Sequence, residues 1–201
     1  MKHVSFWSRF KHHRDETFEC RARVGLALVV VSGAREFYGA RMQDLPTVRT
    51  ELIIPASRRA VWDVLVDFAR YPEWNPFTIG VGTTGRIGDP VKLDVMLGGK
   101  RMKMRERMRV YEPQHRVGWG LKILGGVLLD CTRIQELEDV GEGSTRYVCY
   151  ESFRGLSVPL FFGRYRAPMQ EGFEANAQAL SRRVLSLATQ ASTASLGSTE
   201  S

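Results

Sequence analysis

From Thr47 onward the chain alternates apolar and polar positions, and the period of that alternation changes from segment to segment. Val48 to Ile54 is rich in β-branched residues and ends at Pro55, which predicts a first strand. Behind Ser57, the apolar residues Val61, Trp62, Leu65, Val66 and Phe68 recur at helical spacing. Ser57 is a favoured N-cap, because its hydroxyl can accept an otherwise unpaired backbone N–H. Pro72 disfavours helical backbone at Tyr71, so two short helices are predicted to meet at a bend there, the second ending before Pro76.

Six further strands are predicted at 77–82, 91–97, 101–111, 115–124, 127–138 and 144–155. The alternation is clearest in the third of these six. There Met102, Met104, Glu106, Met108 and Val110 share one face, and Arg101, Lys103, Arg105, Arg107 and Arg109 share the other. The breaks between strands are short and carry Gly98-Gly99, Glu112-Pro113, Gly125-Gly126 or Gly141 to Gly143, so the strands should pair antiparallel as a meander. A loop through Leu156, Pro159 and Phe162 precedes a long helix over 167–187, with Met169, Phe173, Ala177, Leu180 and Val184 in one stripe. The order is α+β: a curved antiparallel sheet of about seven strands, wrapped on a long C-terminal helix, with two short helices after the first strand.

Composition changes this picture at the two ends. Of the 201 residues, 43% are hydrophobic and 25% charged, as in an ordinary globular protein. The net charge of +7 is uneven, since residues 1–41 hold eight Lys and Arg against four acids. The remaining domain is only mildly basic, a poor match to a nucleic-acid partner. Residues 1–46 are read as an extension, disordered or foreign to the native chain. Two alternatives stay open: a targeting segment built on Val24 to Val31, or a true start at Met42. Residues 47–187 form the domain, and the small polar residues 188–201 are expected to be a disordered tail. Cys20, Cys131 and Cys149 are too scattered for a disulfide framework or metal site, and they are expected to be reduced, in the cytoplasm. The turn at 141–143 pairs residues whose numbers sum to about 283, so Cys131 and Cys149 should not lie opposite one another.

The stretch Val61-Trp62-x-x-Leu65-x-Asp67-Phe68-x-x-Tyr71-x-x-Trp74-Asn75-Pro76-Phe77 resembles the opening signature of the SRPBCC superfamily, also called START or Bet v 1-like. It is closest in kind to the polyketide cyclase/dehydrase and lipid-transport branch. Gly143 to Tyr147, Glu151-Ser152-Phe153-x-Gly155, and the last helix with Phe173 and Asn176 agree with it. The resemblance spans about residues 47–187. It implies a helix-grip fold whose sheet and long helix enclose an apolar tunnel for lipids, sterols, polyketides, quinones or hormones. Some members are cyclases or hydrolases, and many have no catalytic activity.

Several residues are candidates for chemistry in such a tunnel. Glu106 stands between Met104 and Met108 on an apolar face, where an ionised carboxylate must be paired, shifted in pKa or wet. It could orient a ligand or act as a general acid or base, or it could simply pair with an arginine such as Arg133. Glu151 shares parity with Tyr147, Cys149 and Phe153 and should also point inward. Tyr71, Trp74, Asn75 and Phe77 could form an aromatic rim, or else plug the core and brace the bend. Met96, Met102, Met104, Met108 and Trp119 would make an adaptable wall, with Phe153, Met169, Phe173 and Asn176 opposite. The Arg101 to Arg109 row could meet anionic headgroups at a transient membrane contact, or be a solvated strand face. His3, His12, His13 and His115 do not cluster with these residues, so no metal, cofactor or His-based triad is expected.

The first reading is a binder or carrier of a hydrophobic small molecule. The second is a cyclase or dehydratase using an inward carboxylate, and the third an interaction module whose interior is filled by its own side chains. The sequence leans away from an enzyme.

Overall fold

The computed structural model describes residues 45–197, with side chains through Ala191, and the expectations for residues 1–44 and 198–201 lie outside them. The strands are β1 (Thr47–Ile54), β2 (Thr78–Gly82), β3 (Pro90–Leu97), β4 (Lys100–Glu112), β5 (Arg116–Ile123), β6 (Leu129–Asp139) and β7 (Thr145–Arg154). All pair antiparallel in one curled sheet, ordered β1-β7-β6-β5-β4-β3-β2. The helices are α1 (Arg58–Leu65), α2 (Tyr71–Trp74) and α3 (Val158–Gly197). This is the α+β helix-grip arrangement, and each of the seven strands lies within two residues of its predicted span at either end.

Period-two alternation decides which face of the sheet is dry. Val91, Leu93 and Val95 of β3, Met108 of β4, Trp119 of β5 and Tyr147 of β7 are buried on the concave side. They pack against the predicted stripe of α3, in which Met169, Phe173, Ala177, Leu180 and Val184 are all buried. Gly172 brings α3 close, because a Cβ there would collide with the ring of Phe77. The β6–β7 register sets Gln135 against Cys149 and Cys131 against Phe153, so the two cysteines are not opposite, and both are free thiols.

Three local expectations are corrected. The bend after α1 comes at Val66 and Asp67 and not at Tyr71-Pro72, since Val66 is the C-cap and Pro72 lies inside the first turn of α2. A proline there gives up an N–H that has no helical partner anyway. The last helix starts at Val158, nine residues before the predicted Ala167, and continues past Leu187 to Gly197. Pro159 is tolerated in a first turn for the same reason, and Phe161 and Phe162 anchor this early segment by packing at 5.8 and 5.6 Å on Phe153. Met96 is the third correction. It pairs with Arg101 on the outer face, whereas its neighbour Val95 pairs with Met102 on the inner one.

Ser57 does cap α1, accepting the Ala60 N–H at 3.3 Å. Asn75 braces the chain where it enters β2, its side-chain oxygen accepting from the N–H groups of Phe77 and Thr78 at 3.0 and 2.8 Å. The Tyr71 hydroxyl donates to the Leu65 carbonyl at 2.7 Å, and Trp74 sits edge-on to Tyr71. The helix joint is therefore closed on itself, with the Tyr71 hydroxyl and the Asn75 side-chain oxygen both engaged by backbone.

Candidate functional site

The concave face of β4 to β7 carries charge at its centre. Arg133 of β6 lies between Trp119 of β5 and Glu151 of β7, directly opposite both in register. Its guanidinium carbon is 4.5 Å from the ring centre of Phe173 and 5.2 Å from that of Phe77, with Trp119 at 6.0 Å. Rings so placed offer their negative faces to a cation that has lost most of its water. Nε donates to the sulfur of Cys149 at 3.3 Å, and a terminal nitrogen donates to the Thr78 hydroxyl at 3.1 Å. Burial works against the charge of Arg133, while Cys149, Tyr147 and Glu151 around it hold its pKa above that of a free arginine.

Two carboxyl groups share this interior. Glu106 is buried on β4 beside Val91 of β3. Burial raises its pKa to about 8, with the charge of Glu151 adding to the rise and Arg133 and Arg109 opposing it. Burial also raises Glu151, against the pull of Arg133 and of a hydrogen bond with Cys131. Burial, and for Glu106 the nearby charge of Glu151 as well, disfavours ionisation, so both carboxyls lean toward the protonated form. Among the described residues, none of the ion pairs within 4 Å involves Arg133, so the alternative of a direct pair with Glu106 is not realised. The cation influences both carboxyls through space and donates to neutral partners.

Glu151 is half-buried. Other inward-facing residues nearer that end of the sheet are likewise half-buried: Met102 and Met104 of β4, Leu121 and Ile123 of β5, and Phe161 and Phe162 of α3. These half-buried apolar residues rim the interior at that end of the sheet and are its mouth. Two cavities of about 300 and 330 Å³ have no α3 residue in their linings. The larger is bounded by Glu106 with Arg105, Arg107, Arg109 and Lys122.

Deeper on the same face is a neutral network. Tyr147 donates to Gln135 at 2.7 Å and accepts from the Asn176 amide of α3 at 3.0 Å, while the Asn176 oxygen is buried without a hydrogen-bond partner. The structure thus brings Glu106, Met108, Trp119, Glu151, Phe153, Met169, Phe173 and Asn176 to one interior, with Met102 and Met104 at its mouth. Phe77 joins them as a wall of the Arg133 cage. From the sequence alone, Arg133 is only a possible partner of Glu106 and Cys149 only an inward neighbour of Glu151, while Thr78 and Gln135 are missed. The signal was available in β6, where Asp130, Thr132, Glu136 and Glu138 claim the outer face and leave Cys131, Arg133, Gln135 and Leu137 for the inner one. No group of three or more His, Cys, Asp and Glu among the described residues could hold a metal ion.

Comparison with known proteins places this architecture. The family model described as polyketide cyclase/dehydrase and lipid transport matches residues 46–186. A START superfamily protein from Mycobacterium smegmatis superposes with a TM-score of 0.56 at 22% identity, covering 70% of this chain and 98% of its own. The Zhui aromatase/cyclase of a Streptomyces species gives 0.55 at 16% identity, over 69% and 92% of the two chains. Norcoclaurine synthase from Thalictrum flavum gives 0.53 at 16% identity, over 69% and 86%. No curated protein sequence matches the chain. At these identities the structural likenesses speak for the fold, while the family model covers most of the domain, and the chain belongs to the polyketide cyclase/dehydrase and lipid transport family.

Proposed function

We propose that this protein binds a hydrophobic small molecule bearing a hydroxyl or carbonyl group, with its apolar body at the mouth between Met102, Met104 and Phe161 and its polar end toward Glu106 and Glu151. The observation that carries this reading is the carboxyl pair itself. Two buried acids held near Arg133 without an ion pair to it retain hydrogen-bonding capacity that a purely structural cluster would have used. One protonated and one charged carboxyl can together donate to and accept from a ligand oxygen. The family and the aromatase/cyclase fold neighbour agree with such a ligand. We place the protein in the cytoplasm, where Cys131 and Cys149 would remain the free thiols they are here.

A second reading, proton transfer in a cyclase or dehydratase reaction, is favoured by one feature. A carboxyl with a pKa of about 8 is protonated at neutral pH and can act as a general acid. Native mass spectrometry of the protein as purified, followed by extraction of retained molecules and titration with lipids, quinones and aromatic polyketides, tests the binding reading. A retained or titratable apolar ligand supports it, and a mass unchanged across the whole panel sinks it. With a ligand identified, Glu106→Gln separates the two readings, since a carrier keeps its binding and an enzyme loses turnover while still binding.

A further inference from the structure

At the same end of the sheet, the surface outside the mouth is strongly apolar. Leu124 and Val127 in the β5–β6 connection are 74% and 59% exposed, and Leu156 and Leu160 after β7 are 78% and 80% exposed. These two connections are laced together. Leu156 donates its N–H to the Val127 carbonyl at 3.0 Å, Ser157 donates its own to Leu128 at 3.0 Å, and the Ser157 hydroxyl reaches that same carbonyl at 2.7 Å. The four side chains therefore share one fixed tip, not independent flexible loops. Leu124 is moreover held at φ +50, a left-handed conformation uncommon for a bulky residue, which keeps it outward at a cost in stability.

The charges beside the tip have one predominant sign. Arg154 at the end of β7 is exposed, as are Arg164 and Arg166 on the first turns of α3, where they lie over the rings of Tyr165 and Phe162. Lys122 borders the other connection, and the acid there, Asp130, is already engaged by it at 3.4 Å. Contiguous exposed leucines on a rigid tip, with aromatics behind and arginines around, match the requirements of a lipid–water interface. The apolar tip enters the acyl boundary, and the cations meet phosphate and carboxylate headgroups.

We infer that this end of the molecule, with Leu124, Val127, Leu156 and Leu160 at its tip and Arg154, Arg164 and Arg166 at its rim, docks on the surface of an anionic lipid bilayer. The surface is distinct from the Arg101 to Arg109 row of β4, and it requires nothing of the ligand proposed above. It does sit against the mouth between Met102 and Phe161, so docking would present that mouth to lipid.

The test is co-sedimentation of the full chain with vesicles of phosphatidylcholine alone and of phosphatidylcholine with roughly a quarter phosphatidylserine. Binding is expected to the anionic vesicles and to weaken as salt is raised. The triple variant Val127→Ser/Leu156→Ser/Leu160→Ser should lower partitioning at least about tenfold, the order expected when several large apolar side chains stop being buried. Arg154→Glu/Arg164→Glu should lower it independently, which guards against any folding defect of the first variant. Absence of binding to anionic vesicles overturns the proposal. So does binding that both variants leave intact, which would assign it to residues 1–41 or to the β4 row. A third overturning result is wild-type self-association that the triple variant abolishes while vesicles bind neither protein, because the tip would then be an interface between copies of the chain.

Discussion

Two sets of polar side chains are buried on the same concave face, and the protein treats them differently. In the deeper set, Tyr147, Gln135 and Asn176 are neutral and bond to one another, joining β6, β7 and α3 into one frame. In the set nearer the mouth, Arg133, Glu106 and Glu151 are ionisable, and the two carboxyls are not clasped by the cation they surround. A neutral network gives its stabilisation once its bonds are formed, and it does so at any ordinary pH. A charged set with an unresolved proton keeps part of its interaction capacity in reserve. The contrast separates a residue that holds the fold from one poised to meet something else.

The comparison can be broken most forcefully at Arg133. Arg133→Met removes the positive charge that acts on both carboxyls, together with the bonds to Thr78 and Cys149. A loss of about 3–5 kcal/mol is expected in urea denaturation. The loss should be greater at pH 8 than at pH 5, because at low pH the carboxyls can neutralise themselves. A loss below about 1 kcal/mol at both pH values would mean that the guanidinium is not central.

Titration sharpens the same point. The carboxyl of Glu106 rises from an ordinary 4.5 to about 8 on folding, so the folded state favours its proton. Its contribution is fully present below about pH 4.5 and is lost as pH rises through 8. Wild-type stability should fall across that window with a slope of up to ~1.4 kcal/mol per pH unit, and Glu106→Gln should flatten it. Equal slopes in the two proteins would show that Glu106 does not titrate there.

The neutral network predicts the opposite pattern. Tyr147→Phe removes the donor to Gln135 and the acceptor for Asn176, and it should cost about 1–3 kcal/mol by the same urea measurement. That cost should be the same at pH 5 and pH 8, and a pH-dependent one would join the two sets into a single network. The smallest effect is expected outside both. Met96→Ala, on the convex face opposite Arg101, should stay within about 0.5 kcal/mol of wild type and leave ligand binding unchanged.

Much of the framework was legible before any coordinates. Alternation named the strands, Ser57 named the start of α1, and the parity of Glu106 and Glu151 turned both inward. The failures have physical causes. Met96 was grouped with the inner wall by its chemistry although its parity with Lys92 and Asp94 set it outside. Pro159 suggests a loop ahead of a late-starting α3, but packing of Phe161 and Phe162 on Phe153 holds the early turns against that local preference. Asn75 reads more readily as a brace of the bend than as a ligand contact, and two backbone N–H groups on its oxygen are consistent with the brace.

The amino-acid order by itself determined the facing of each strand and the meander that joins them. Side-chain alternation is a property of a strand taken alone, and short glycine turns leave antiparallel pairing as the accessible solution. Only the tertiary structure decided that Arg133 would stand in a cage of Phe77, Trp119 and Phe173, near two carboxyls and bonded to neither. Those neighbours come from the entry to β2, from β4, β5 and β7, and from α3, and their separations follow from cross-strand register and from the curl of the sheet around the helix. The upward shift of both carboxyls has the same origin, since depth and proximity across strands, not residue type, set the cost of their charge.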